Sequence, residues 1–219
     1  MKLNWDQTGS RKYETGVKNV ALYVKEETGE YGAGVPWNGV TAITESPSGA
    51  EATPLYADDI KYLNMVSAEE LGATIEAYTY PDEFCICDGS AELAPGVIVG
   101  QQTRREFGLA YKTTMGNDIV GAAHGYKLHL LYNCLAAPSE KAYSTINDSP
   151  EAITFSWELS TTPMTMEGFK PTSSITIDST KVNADALAEL EAILFGSAEA
   201  DPTLPTPDEI VAIFANIPE

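Results

Sequence analysis

The chain has 219 residues, of which 43% are hydrophobic and 21% charged, a composition typical of a globular protein with one domain and a core. Its 32 acidic and 13 basic residues give a formal net charge of -19, which argues against a protein that grips nucleic acid, because phosphate contacts need clustered lysine and arginine. The first residues lack the apolar core of a signal peptide, and no apolar run reaches the roughly 20 residues of a membrane helix. The sequence therefore predicts a soluble protein made in the cytoplasm.

Apolar and polar residues alternate in several short stretches, the pattern of half-buried strands. In chain order these predicted strands cover residues 17–24, 40–44, 72–80, 107–111, 128–134, 155–159 and 175–177. In the fifth of them we predict one shared apolar face for Leu128, Leu130, Tyr132 and Cys134. Because glycine, proline, asparagine and aspartate separate the stretches, the fold class predicted is mainly β, an antiparallel sandwich or barrel.

The segment 44–70 is long for a connection in a compact domain. A strand that starts at Leu55 and Tyr56 is interrupted by the paired acids Asp58 and Asp59, and several apolar residues look exposed. Further on, Pro81 is predicted to end a strand and to open a helical turn that ends at Gly89. We expect the segment 44–70 to form an extended hairpin or loop that becomes ordered against neighbouring subunits.

Charge is distributed unevenly along the chain. Residues 45–92 carry eleven acids and one base, whereas residues 93–135 carry four bases and two acids. The bases of the second stretch are Arg104, Arg105, Lys112 and Lys127. Such polarity favours head-to-tail pairing between copies, or ion pairs between bases and acids of the same subunit.

Two helices are predicted near the C-terminus. The first follows an Asn183 cap, runs to Phe195 and buries leucines 187, 190 and 194. The second starts at the capping box Thr206-Pro207-Asp208-Glu209 and would bury isoleucines 210, 213 and 217 with Phe214. The polar linker 197–205 lets this second helix dock on another subunit or fold back on its own domain. We therefore divide the chain into a β-sandwich domain over 1–200 and a C-terminal arm over 201–219.

The sequence contains no recognisable catalytic motif. The adjacent acids, such as Asp58 and Asp59, would point to opposite sides of a strand, which does not suit acid–base catalysis. Cys85 and Cys87 form a C-x-C pair without a second pair at zinc-finger spacing, and Cys134 lies in an apolar pattern typical of a core. We expect a protein that is not an enzyme and that holds no metal and no cofactor.

Four motifs follow one another along the chain. They read YADDIKY, EAYTYPDEF…CDG, GQQ…R…FGLAY and NDxxGxxHGYKLHL, at Tyr56–Tyr62, Glu76–Gly89, Gly100–Tyr111 and Asn117–Leu130. In this order they resemble the major tail tube protein of long-tailed bacteriophages. The resemblance extends over most of the chain and includes the helix region 177–196 and the segment 204–210.

The resemblance implies a β-sandwich flanked by a helix, six subunits in a ring, and rings stacked into a non-contractile tail tube that conducts DNA into the host. The implied partners are other copies of the chain, the tape-measure protein, the tail terminator and the baseplate or tail-tip proteins, with double-stranded DNA passing through unbound. The implied location is the phage tail of the virion, assembled in the bacterial cytoplasm. As candidate interface residues between subunits we take Leu55, Tyr56, Asp58, Asp59, Tyr62, Arg104 and Arg105. The alternative is a β-sandwich module that binds carbohydrate or another ligand through its three tryptophans and eleven tyrosines.

Overall fold

The structure is a computed structural model that describes residues 2–146, 148 and 151–215. Over these residues the chain forms twelve strands, two α-helices and one short 3₁₀ helix, Asp82–Ile86. The strands are β1 Lys12–Val24, β2 Val35–Pro36, β3 Val40–Gly49, β4 Ala52–Ala57, β5 Ile60–Val66, β6 Glu69–Ala77, β7 Ala91–Ala94, β8 Val97–Val99, β9 Phe107–Asn117, β10 Gly121–Ala136, β11 Phe155–Thr161 and β12 Ser174–Asp178. The helices are α1 Ala184–Phe195 and α2 Pro207–Ala215.

Antiparallel strands dominate, as the sequence predicted. Eight strands form one sheet in the order β2-β1-β9-β10-β11-β6-β3, with β12 paired to β10 beside this path. Two separate hairpins, β4–β5 and β7–β8, complete the β structure of the described residues.

The long strand β10 changes partner along its length. Its residues Lys127–Leu131 pair with β12, and its residues Cys134–Ala136 pair with β11. Between these parts Asn133 adopts a φ of 47°, and the pairing with β9 shifts register, which marks a β-bulge. The bulge reverses the faces, so that Tyr132 and Cys134 lie in different cores. The predicted shared face of Leu128, Leu130, Tyr132 and Cys134 is therefore wrong at Cys134, although this cysteine is fully buried as expected.

The first core is formed by side chains from one face of β1, β6, β9, β10 and β11. An aromatic cluster forms its centre, with the ring centroids of Trp37 and Trp157 5.7 Å apart and those of Phe84 and Trp157 5.1 Å apart. The indole nitrogens are satisfied, because Trp37 donates to the Thr79 carbonyl at 2.8 Å and Trp157 donates to Asp88 at 3.1 Å.

The second core lies on the other face of β1, β9, β10 and β12, beneath the helices. Leu187, Leu190 and Leu194 of α1 are buried in it, as their spacing predicted. Asn183 caps α1 by accepting hydrogen bonds from the backbone of Asp185 and Ala186, so the predicted start of this helix is confirmed.

Helix α2 folds back on its own chain. Its capping box is formed, since Glu209 accepts a hydrogen bond from the Thr206 backbone at 2.7 Å. Ile210 is 4% exposed, and Leu204 of the linker is equally buried in the second core. Of the two placements that the sequence left open, the structure shows packing within the subunit. The predicted burial of Ile217 falls outside the described residues.

Several strand boundaries differ from the prediction; β1 begins at Lys12 rather than at residue 17, and β9 ends at Asn117 rather than at residue 111. Strand β6 ends at Ala77 rather than Tyr80, because the backbone of Tyr78 turns to bond Gly39. Strand β3 continues from the predicted end at residue 44 to Gly49. Pro47 is tolerated there because β3 is an edge strand. Every second backbone N–H of an edge strand points away from the sheet, so a proline at such a position loses no hydrogen bond within the sheet. The helical turn after Pro81 is confirmed as the 3₁₀ helix, which ends at Ile86, before Gly89.

Candidate assembly surface

A two-stranded hairpin projects from the β3–β6 pair, and we call residues 50–68 the arm. Its strands β4 and β5 pair with each other and belong to no larger sheet. Every residue of both strands is exposed, including Tyr56 at 70% and Ile60 at 64%. Exposed apolar groups on both faces of one hairpin are typical of a protein–protein contact.

The tip of the arm explains its paired acids. Asp58 and Asp59 have φ values of 50° and 61°, the left-handed pair that a tight hairpin turn of type I′ requires and that aspartate tolerates. The pairing then skips one residue, from Leu55 opposite Leu63 to Tyr56 opposite Lys61, so that Tyr62 is the extra residue of a bulge. The two acids therefore form the central residues of the hairpin turn.

The root of the arm is fixed to the core sheet. Pairing between β3 and β6 continues out to Gly49 opposite Glu69, and the Ala50 backbone then donates to the Ala68 carbonyl. Gly49 has a φ of 78°, and a side chain there would meet the Ala68 carbonyl oxygen at 2.4 Å, so only glycine fits. The arm is thus a separate hairpin whose root is anchored to the β3–β6 pair of the core sheet.

A side-chain cluster holds β3 against β9 and β10 near this root. The Tyr111 hydroxyl donates to Glu45 at 2.5 Å, and the ring of Tyr111 stacks on His129 at 4.8 Å. His129 also bonds the Thr113 hydroxyl at 2.9 Å. Burial lowers the pKa of His129 below its ordinary value, against the opposing effect of the Glu45 carboxylate.

Arg104 and Arg105 lie between β8 and β9, and both have partners in their own chain. Arg104 donates to the Asp88 carbonyl at 2.8 Å, and Arg105 donates to Glu27 at 3.1 Å. The structure brings Leu55, Tyr56, Asp58, Asp59 and Tyr62 together on the arm, whereas it places these two arginines in a different segment.

The other bases of this stretch are also paired within the subunit. Lys112 bonds Glu191 at 2.7 Å, and Lys127 bonds Glu14 at 2.5 Å. Of the two uses of charge that the sequence left open, ion pairing within the subunit is the one the structure shows for Arg105, Lys112 and Lys127.

The sequence analysis missed a second apolar hairpin, β7–β8. Leu93, Val97 and Ile98 are exposed on it, and its turn contains Pro95 and Gly96. The signal was present as two apolar runs on either side of a Pro-Gly pair, a strong turn dipeptide. Further exposed apolar residues lie in the N-terminal segment and at the β9–β10 turn, namely Leu3, Trp5, Ile119 and Val120.

Reactive side chains are dispersed. Cys87 and Cys134 are buried in the first core, and burial raises the pKa of the Cys87 thiol to about 12. Within residues 2–146, 148 and 151–215, no three His, Cys, Asp or Glu side chains are grouped to hold a metal ion. Neither helix of the described chain has the length and apolar character needed to cross a membrane.

No protein-family model matches the chain, and no curated protein matches it. Among solved structures, the chain is similar to a chain of an extracellular contractile injection system, the PVC sheath–tube complex in its extended state. The identity is 12%, the TM-score is 0.32, and the match covers 73% of this chain and 88% of that one. Similarity at this level establishes neither a shared fold nor a shared function.

Proposed function

We propose that the protein is a virion structural protein whose copies assemble into rings, hexameric as in the tail tube proteins it resembles, that stack into a phage tail tube. The observation that carries the proposal is the arm, which displays apolar residues on both faces and is joined to the core sheet at its root by the Gly49–Glu69 pair and the Ala50–Ala68 hydrogen bond. The four ordered sequence motifs support it, and the first of them lies on the arm itself.

The arm needs a neighbour for physical reasons. An isolated two-stranded hairpin is marginally stable in water, and every residue of β4 and β5 is exposed in the part of the chain that the structure describes. Edge strand β3 likewise leaves one row of backbone groups free to pair. Burial of the arm against a second subunit would stabilise both the hairpin and the assembly.

The net charge of -19 is compatible with a tube that DNA passes through. Six copies would carry 6 × -19 = -114 formal charges, so assembly must bury enough apolar or hydrogen-bonded surface to overcome repulsion. The same charge denies DNA the gain from counterion release and lets it pass without adhering. The proposed partners are other copies, the tape-measure protein, the terminator and tail-tip proteins, and the proposed location is the virion tail.

The carbohydrate-binding alternative loses part of its basis. Trp37 and Trp157 are 2% and 0% exposed and belong to the first core. Stacking on a sugar would therefore depend on Trp5 and on exposed tyrosines, two of which, Tyr56 and Tyr62, lie on the arm.

The test is negative-stain electron microscopy of the wild type and of a variant in which residues 51–67 are replaced by Asn-Gly. This replacement keeps the β3–β6 pairing and removes only the arm. We expect concentration-dependent rings or tubes from the wild type, and a folded monomer from the variant. Phe169→Ser, which removes an equally exposed aromatic ring outside the arm, is the control and should assemble normally.

Normal tubes from the arm variant would refute the role of the arm. A wild type that stays monomeric over the whole concentration and salt series, and whose tryptophan fluorescence responds to a glycan, would refute the tube and establish the binding module.

A further inference from the structure

A groove of about 600 Å³ lies between α1, α2 and the loop that follows β1. Half-buried apolar side chains form its walls, and buried Leu204 forms part of its lining. The wall residues are Tyr31, Met164, Ile193 and Ile213. Its size is that of a site for one or two large side chains.

The rim of the groove is acidic. Glu30, Glu189 and Glu209 all line it, and all three are exposed. None of them forms an ion pair within the part of the chain that the structure describes. An apolar floor beneath three carboxylates suits a segment with apolar side chains next to a base.

The N-terminal segment of the chain has this chemistry. Leu3 and Trp5 are 71% and 76% exposed, and Lys2 is exposed beside them. Residues 2–12 hold three bases against one acid, in a chain whose net charge is -19. An exposed tryptophan and leucine with an adjacent lysine match the groove in polarity and in charge.

The segment and the groove lie at opposite ends of strand β9. Gly9 is tied to Asp118, just beyond the end of β9, by backbone hydrogen bonds of 3.0 and 3.2 Å to its carboxylate. Gly108, near the start of β9, lies directly under Leu204 and Tyr31 of the groove. Ten residues of extended strand separate the two points, on the order of 30 Å.

This distance separates Trp5 from the Leu204 end of the groove in its own chain. The backbone of Trp5 is four residues from Gly9 and reaches at most about 14 Å from it. The groove of a second copy stacked end to end can lie within that reach. A contact of this kind is head-to-tail and repeats from copy to copy.

We propose that residues 2–5 of one copy dock in the groove between α1 and α2 of a second copy, with Trp5 and Leu3 on its apolar walls and Lys2 at its acidic rim. This contact rests on the proposed self-assembly. It describes how stacked copies would touch end to end, and it does not involve the arm.

The direct test is disulfide formation between two singly substituted proteins. One carries Asn4→Cys and the other carries Ala212→Cys, a groove position on α2, both in a Cys85→Ser background that leaves only the buried Cys87 and Cys134. On mixing with diamide, which takes up the two electrons and two protons that the thiols lose, we expect a disulfide-linked product of two different chains, each of 23.5 kDa. Ala198→Cys, exposed on the linker outside the groove, is the matched control and should give at least about tenfold less product.

Charge reversal tests the pairing at the rim. Lys2→Glu and Glu189→Lys should each lower the yield of the product about fivefold, and the two together should restore it. Lys170→Glu, an equally exposed site elsewhere, should leave the yield unchanged. Because the other two tryptophans are buried, Trp5 fluorescence should also shift to shorter wavelength as concentration rises, and Trp5→Phe should lose that shift.

The outcomes separate this contact from the proposed function. Rings or tubes without the Asn4–Ala212 product overturn the contact and leave the tube standing. The product without rings or tubes supports the contact and counts against the tube. Protection of the groove during assembly without the product assigns the groove to another occupant and overturns the contact.

Discussion

Asn133 lies where the long strand β10 changes partners, and its side chain forms hydrogen bonds with groups around the β-bulge. Its amide oxygen accepts hydrogen bonds from Lys25 and from the Tyr31 hydroxyl, each at 3.0 Å, and its amide nitrogen donates to the Thr162 carbonyl. The Tyr31 hydroxyl in turn accepts from the Asn133 backbone at 2.9 Å. Asparagine tolerates the left-handed backbone that the bulge needs. One residue thus redirects the sheet and separates the two cores.

His129 connects the core sheet to the strand that carries the arm. Its ring is packed on Tyr111 and bonded to Thr113, while Glu45, Glu14, Lys127 and Thr176 face it from three other strands and from its own. Burial is the main cause that lowers its pKa in the folded protein. The neutral ring is therefore the form that this environment stabilises.

We predict that His129 makes the fold sensitive to mild acid. Because the folded pKa lies below the value of about 6.5 expected in the unfolded chain, the neutral ring contributes stability that is present above that pH. The contribution is lost as the pH falls through 6.5 towards the folded pKa. Urea unfolding at about pH 7 and about pH 5 should show a steeper loss of unfolding free energy for the wild type than for His129→Gln. Parallel losses in the two proteins would contradict the prediction.

Local patterns predicted those elements whose stability is decided locally. The Asn183 cap, the Thr206 capping box and the proline-initiated 3₁₀ turn all occur as the sequence indicated. For segment 44–70 the sequence left an extended hairpin and a loop open, on its length and apolar content, and the structure shows the hairpin β4–β5 within it. The β-bulge at Asn133 was not predicted, since the alternation from Leu128 to Cys134 is unbroken in sequence and only tertiary pairing reveals the reversal.

The candidate surface was predicted only in part for the same reason. Exposure of the arm follows from its composition, but the partners of Arg104 and Arg105 depend on chain segments distant in sequence. The groove depends on α2 folding back, which a polar linker neither requires nor forbids. Pattern alone does not decide which surfaces a chain covers by itself.

Helix α2 depends on its capping box, because it is short and has a modest buried face. The Thr206 hydroxyl donates to Glu209 at 2.9 Å, and the Glu209 carboxylate also accepts from the Thr206 backbone. We predict that Thr206→Ala lowers the stability of the docked helix by about 1 kcal/mol. Hydrogen exchange of the α2 amides should then be about fivefold faster, with the α1 amides unchanged.

Thr203→Ala is the matched control, as Thr203 lies in the linker and takes no part in the cap. Equal exchange rates for α2 in the wild type and in Thr206→Ala would show that packing of its apolar residues on the second core, without the cap, holds the helix.

At the scale of the whole molecule, the arm, the N-terminal segment and the groove belong to different parts of the fold. The root of the arm is anchored to the β3–β6 pair, the N-terminal segment lies at one end of β9, and the groove lies at the other end. Lys25, Lys112 and Lys127 form ion pairs within the subunit, and the chain keeps a net charge of -19. In the proposed assembly, apolar and hydrogen-bonded contacts would have to overcome the repulsion between these charges.

Salt should consequently promote assembly. Raising NaCl from about 0.1 M to about 1 M shortens the Debye length from about 10 Å to about 3 Å, which screens repulsion between chains of charge -19. We expect the threshold concentration for assembly, measured by sedimentation velocity, to fall about threefold or more. The attraction between Lys2 and the groove is screened as well, but it involves one base against a repulsion that involves the whole chain.

A charge variant separates screening from salting-out. Glu151→Lys with Glu199→Lys changes two exposed acids outside the arm, the N-terminal segment and the groove, and brings the net charge to -19 + 4 = -15. If repulsion sets the threshold, this variant assembles at lower concentration than the wild type in 0.1 M NaCl, and the two converge in 1 M NaCl. A threshold that rises with salt would mean that ionic pairs between subunits, rather than apolar surface, hold the assembly together.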